Sequence, residues 1–100
     1  MRRGFCCRNL NSKTIRHEDL VRIMRKKKIV LIDIRSNQEY NEGHYDGAIN
    51  IPLYEIKEEI AKHVSDKSST IIVYCTTGHR SRKAQEILNS LGYTDVYNLV

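Results

Sequence analysis

Two short segments, Ile29-Val30-Leu31-Ile32-Asp33-Ile34 and Thr70-Ile71-Ile72-Val73-Tyr74, constrain this chain more than any other feature. Both carry β-branched and apolar residues in succession, so each strand needs cover on both faces, as strands inside a parallel sheet do. Helical periodicity surrounds them. Leu20, Ile23 and Met24 share one face between about Glu18 and Lys27, Ile56, Ile60 and Val64 share another, and Ala84, Ile87, Leu88 and Leu91 form a third stripe. Between the first strand and the second helix, Ser36-Asn37-Gln38-Glu39 reads as a capping box that opens a short helix, which Gly43 ends. Ala48 to Ile51 reads as a brief strand stopped by Pro52, and Asp95 to Leu99 as a final one. Gly92 and Tyr93 after Leu91 suit a Schellman-type helix end. Strand and helix in this alternation predict an α/β fold: a small parallel sheet of about five strands, flanked by helices on both faces.

One hundred residues suffice for one such domain and one function. Residues 1–13 are basic and polar without apolar periodicity and read as a flexible arm, leaving 14–100 as the domain. A hydrophobic fraction of 40% with six Gly and Pro in total excludes collagen-like and strongly disordered classes. No apolar run approaches the length needed to cross a bilayer, and no apolar segment follows the basic start, so neither membrane insertion nor export is expected. The net charge of +5 favours small anions or acidic partners. Nucleic acid is not expected, because the densest basic run, Arg25-Lys26-Lys27-Lys28, has no aromatic beside it and reads as a solvated helix end complementing the helix dipole.

Three cysteines, Cys6, Cys7 and Cys75, match neither a disulfide framework nor a metal-ligand spacing, which points to a reducing, cytoplasmic setting. Cys6 and Cys7 could resolve sulfur species or carry lipid, but read first as bystanders on the arm. Cys75 is different. It ends the second buried strand and is followed by Thr76-Thr77-Gly78-His79-Arg80-Ser81 ahead of an amphipathic helix. The carboxyl edge of a parallel sheet is where ligands bind. A tight glycine loop leading into a helix turns successive amides toward one point and gathers negative charge. Free cysteine is a few per cent thiolate at neutral pH. Lowering its pKa by roughly two units takes only about 3 kcal/mol, which the amides, the helix dipole and Arg80 together could supply. An isolated cysteine at a strand end is otherwise a small buried hydrophobe. Position alone leaves both readings open.

The remaining motifs decide between them. Asp33-Ile34-Arg35-Ser36, Glu39-Tyr40, Gly43-His44, Gly47-Ala48-Ile49-Asn50-Ile51-Pro52, Tyr74-Cys75 with Gly78, Arg80 and Ser81, and Leu91-Gly92-Tyr93 occur in an order and near a spacing that resembles the rhodanese-like (sulfurtransferase) family. The resemblance spans about residues 14–100. It implies a thiosulfate or persulfide sulfurtransferase in which Cys75 carries sulfane sulfur, as a persulfide, from a donor to cyanide in assay or to a thiol in the cell. By the same resemblance Thr76, Thr77, Gly78, His79, Arg80 and Ser81 form the active-site loop, while Asp33, Arg35, Gly43 and His44 support it by hydrogen bonding. It implies no cofactor and no metal. The partners it implies are a small anionic donor, a thiol acceptor and a partner protein, with the chain a monomer or weak dimer.

Departures from the family pattern carry expectations of their own. Tyr45-Asp46 stands where the family often has proline, which loosens a turn. Thr76 and Thr77 are neutral where thiosulfate-using members tend to carry basic residues, which favours persulfide donors. The residues given stop at Val100, where the family usually continues into a closing helix, so reduced stability or self-association is expected. Thr76 to His79 separate Cys75 from Arg80, one residue fewer than in cysteine phosphatases, so the cradle closes on one sulfur and is tight for phosphate. The competing reading is a non-catalytic rhodanese-like binding or regulatory module.

Overall fold

The computed structural model describes residues 13–100. In chain order these form β1 (Lys13–Ile15), α1 (His17–Lys26), β2 (Val30–Asp33), α2 (Asn37–Glu42), β3 (Ile49–Asn50), a 3-10 turn (Leu53–Glu55), α3 (Ile56–His63), β4 (Thr70–Tyr74), α4 (His79–Ser90) and β5 (Asp95–Leu99). The five strands make one sheet in the order β1-β5-β4-β2-β3, and every pairing is parallel. The expected α/β architecture is therefore the observed one.

Strand alternation splits the core into two layers. On one face Ile32, Ile71, Val73 and Val96 meet Ile56 and Ile60 of α3 and Ala84 and Leu88 of α4. On the other, Leu31, Ile72, Tyr74 and Leu99 meet Leu20 of α1, with Tyr40 of α2 packed alongside. Ile32, Ile71 and Ile72 are wholly enclosed, and burying a side chain of that size is worth about 1.5–3 kcal/mol. This is why the two apolar runs read as central strands: β4 is buried at every position and β2 at all but its first.

Local signals shaped the connections as their chemistry dictates. Ser36 Oγ accepts from the Glu39 amide at 3.2 Å and Glu39 Oε1 accepts from the Ser36 amide at 3.0 Å, closing the capping box at the start of α2. After α4, Tyr93 N–H donates to Leu88 O and Gly92 N–H to Asn89 O, both at 3.1 Å, which is the Schellman end. Tyr93 is buried there, its hydroxyl bonded to Val64 O, so α3 and α4 are tied at one end. The basic run closes α1, and Lys27 reaches Asp95 at 3.5 Å.

The strand β1 lies outside the segments read as strands from sequence, and it begins at Lys13, a residue assigned to the arm. It has three residues and one inward apolar side chain, Ile15, too little to register as a pattern; pairing with β5 makes it a strand. The remainder of the arm, with Cys6 and Cys7, lies outside the described residues. Among the described residues no helix is long and apolar enough to cross a membrane.

Candidate active site

Chain connections diverge at the middle of the sheet: β2 leads outward to β3, and β4 leads the opposite way to β5, although β2 and β4 are neighbours. Such a switch point leaves a crevice at the carboxyl ends of the two strands. Asp33 and Tyr74 are paired across those ends, so Arg35 and Cys75 emerge on either side of it. A cavity of about 430 Å³ opens there, lined by Arg35, Gly43, His44, Tyr45, Tyr74, Cys75 and Thr76.

Cys75 is half-buried and free. Its Sγ accepts from the Gly78 amide at 3.0 Å and the Ser81 amide at 3.4 Å, and lies 3.5 Å from Ser81 Oγ. Gly78 is left-handed, at φ +91°, and caps α4 from that conformation. A side chain there would be strained, and its Cβ would press on Val100 Cγ1 at 3.3 Å. Burial pushes the Cys75 thiol up. The Ser81 hydroxyl and the amides of Ser81, Gly78 and Thr77 more than offset it, so the thiol sits below its ordinary value.

Behind the loop lies a second layer of polar contacts. Ser81 is buried, and its hydroxyl bonds to Gly78 O at 3.1 Å and to Asn98 Oδ1 of β5. Arg80 stays within electrostatic reach of Cys75, but its bonding goes elsewhere. Its guanidinium grips Glu39 of α2 with two bonds of 2.9 and 3.0 Å, because that carboxylate already faces the loop from the capping box. The Arg80 fork first, and the Ser36 amide next, hold the Glu39 carboxyl down at about 2. The Arg80 side chain thus latches the loop to α2 and lines a separate groove with Leu53 and Ile87, not the cavity over Cys75.

Asp33, Arg35, Gly43 and His44 are brought together on the opposite wall. Asp33 is fully buried and accepts from the Arg35 backbone N–H at 2.9 Å, Nε at 3.0 Å and Nη2 at 2.7 Å. The same Nη2 donates to Gly43 O, which fixes the end of α2. The hydrogen bonds that its guanidinium donates to Asp33 are the main reason Arg35 is held still more firmly protonated than usual. His44 Nδ1 lies 2.8 Å from Tyr40 O, and its ring stacks on Tyr40. These residues support the loops, and Arg35, Gly43 and His44 also form wall. Thr76 and Thr77 are exposed, and His79 is exposed with Nδ1 3.4 Å from Thr77 Oγ1.

Residue-by-residue reading of the sequence missed Tyr45, Tyr74, Glu39 as an ion-pair partner, and Asn98. Tyr74 hydroxyl accepts from the Tyr45 amide at 3.0 Å, and the two rings meet edge to face. Burial pushes the Tyr74 phenol up to about 12, so it stays neutral at any working pH. Nothing local marks these residues; Tyr74 reads as strand and Tyr45 as turn.

The model of the family described as "Rhodanese-like domain" matches residues 16–100. The chain belongs to the rhodanese-like domain family. It is 52% identical over 67 residues, 67% of its length, to thiosulfate sulfurtransferase PspE of Escherichia coli, of which that stretch is 64%. With thiosulfate sulfurtransferase GlpE of Coxiella burnetii it shares 30% identity over 88 residues, covering 88% of this chain and 80% of that one. A tRNA uridine(34) hydroxylase of Buchnera aphidicola is 36% identical over 87 residues, 82% of this chain and 28% of the hydroxylase, so there the rhodanese-like unit is a minor part of a longer protein. Among solved structures, an Escherichia coli rhodanese with anions superposes with a TM-score of 0.69 at 49% identity, over 71% of this chain and 84% of that one. A human single-domain sulfurtransferase superposes at 0.77 with 25% identity, over 88% of both.

Proposed function

We propose that this chain is a sulfurtransferase and that Cys75 is its sulfur carrier. The observation that carries the reading is the convergence of the Gly78 and Ser81 amides on Sγ at the floor of an open cavity. The thiolate attacks the sulfane sulfur of a donor, forms Cys75–S–S⁻ and expels the donor's remainder, which is sulfite from thiosulfate or a thiolate from a persulfide. An acceptor nucleophile then attacks the outer sulfur. Cyanide leaves as thiocyanate, or a thiolate leaves as its persulfide, and Cys75 returns as a thiolate. No separate base is needed, because the loop already favours the ionised sulfur. The names of the PspE and GlpE relatives support thiosulfate as one donor.

The cavity favours organic partners over inorganic ones. About 430 Å³ is in the range of small-molecule sites and exceeds the needs of one small oxyanion. Its aromatic walls, Tyr45 and Tyr74, offer apolar surface to the carbon skeleton of a thiol or persulfide, while Asp33 largely neutralises Arg35. A free Cys75 thiol fits a reducing compartment. The test is intact-mass measurement after incubation with thiosulfate or glutathione persulfide. Cys75 gains one sulfur atom that cyanide removes, and the Cys75→Ser chain does not. Added sulfur found on Cys6 or Cys7 alone would sink the assignment, and no added sulfur at all would favour a binding module.

A further inference from the structure

Asn98 lies in β5, beneath the first turn of α4, and is 5% exposed. Its Nδ2 donates to Gly78 O at 3.3 Å, and its Oδ1 accepts from Ser81 Oγ. That orientation of the amide is dictated, since a flip would set Oδ1 against the Gly78 carbonyl, two acceptors face to face. Ser81 Oγ carries one proton but stands among three acceptors: Asn98 Oδ1, Gly78 O and Cys75 Sγ. Asn98 Oδ1 is the nearest of them and can only accept.

While Cys75 is a thiol, the hydrogen bonds run in one direction, from S–H to Ser81 Oγ and from Ser81 O–H to Asn98. When Cys75 loses its proton to solvent, Ser81 must turn its own proton to the sulfur, and the buried Asn98 oxygen is left without that donor. In the persulfide the charge moves to the outer sulfur, Sγ is neutral again, and the Ser81 proton can return. We propose that Asn98 is a positioning residue that holds the Ser81 hydroxyl proton away from Cys75, opposing the bare thiolate and favouring the two states in which Sγ is uncharged. This rests on Cys75 as the sulfur carrier, but its test reads a titration, which is measurable whether or not sulfur is transferred.

Other charged and titratable groups around Cys75 are already engaged elsewhere. Arg80 of α4 is held by Glu39 of α2, and Arg35 beyond β2 by Asp33. His44 is bonded to Tyr40 O, Tyr74 to the Tyr45 amide, and His79 of α4 faces Thr77. The Tyr45 hydroxyl faces His17 of α1. Replacing Asn98 alters the bonding of none of them.

The experiment follows iodoacetamide alkylation of Cys75 against pH, in a chain carrying Cys6→Ser and Cys7→Ser. Asn98→Leu removes the nearer of the two competing acceptors, leaving Gly78 O at 3.1 Å, and the alkylation midpoint falls by about one pH unit, the scale of one buried hydrogen bond. A purely structural role predicts the opposite sign, because a loosened cradle raises the midpoint. Ser81→Ala alone raises it, and adding Asn98→Leu to Ser81→Ala moves it no further. Asn98→Ala stands in if Asn98→Leu melts below the assay temperature. An unchanged or raised midpoint in the single variant, or a fall that persists without the Ser81 hydroxyl, overturns the proposal.

Discussion

Gly78→Ala tests the cradle most directly, because one atom is asked to disturb both folding and ionisation. At φ +91° a side chain costs about 1–2 kcal/mol of backbone strain. Crowding of the new Cβ against Val100 Cγ1, 3.3 Å away, adds to it unless Val100 gives way. For a domain of this size each kcal/mol lowers Tm by about 4–8 °C, so a fall of roughly 5–15 °C is expected. The chain can relieve strain by rotating the peptide, but that swings the Gly78 amide off Sγ, now 3.0 Å away. A hydrogen bond to a charged group is worth about 1.5–3 kcal/mol, which places the rise in the Cys75 titration at roughly one to two pH units. Below that midpoint each unit reduces the thiolate population tenfold. The assay pairs thermal melts with alkylation rate against pH. Gly47→Ala is the control: φ is +85°, no atom lies within 4 Å of the added Cβ, and the residue makes no bond to the sulfur. It should lose stability while leaving the Cys75 titration in place. If Gly78→Ala melts like the parent and titrates like it, the loop is not held as described.

Three further expectations follow from the site. Glu39 has its carboxyl held at about 2, so its contribution to stability is complete above its ordinary 4.5 and is lost as pH falls through about 2. Glu39→Gln should therefore flatten stability against pH across that window, read by urea unfolding at successive pH values; an unchanged slope counts against the Arg80 latch. Asp33→Ala leaves the largely buried Arg35 guanidinium without its carboxylate and should cost about 3 kcal/mol, at the lower end for a broken buried pair because Arg35 keeps some access to water. Chemical denaturation measures it, and a loss below 1 kcal/mol would show the pair to be dispensable. Tyr45→Ala strips one aromatic wall of the cavity, so KM for an organic thiol acceptor should rise several-fold while KM for cyanide holds. Equal changes in both would mean that Tyr45 acts on the fold and not on the acceptor.

Much of this molecule is legible in its sequence, and the reason is local physics. Ile29 to Ile34 and Thr70 to Tyr74 announce covered strands because no other setting hides so many β-branched residues, and β2 and β4 are central. Ser36 and Glu39 cap α2 through contacts within four residues, and Gly92 ends α4 the same way. Gly78 between Cys75 and Ser81 marks the cradle for the same reason: the bonds to Sγ span three and six residues. Tertiary structure decided whatever depends on partners distant in the chain. Three residues with one apolar side chain become β1 because β5 offers a free edge 84 positions later, as in Lys13 with Tyr97. The Arg80 guanidinium is claimed by Glu39, 41 residues earlier, because that carboxylate offers two oxygens. Asn98 enters the site from 20 residues beyond Gly78. Side chains announce their own backbone, but which distant acceptor claims a proton or a guanidinium is settled only when folding sets the distances.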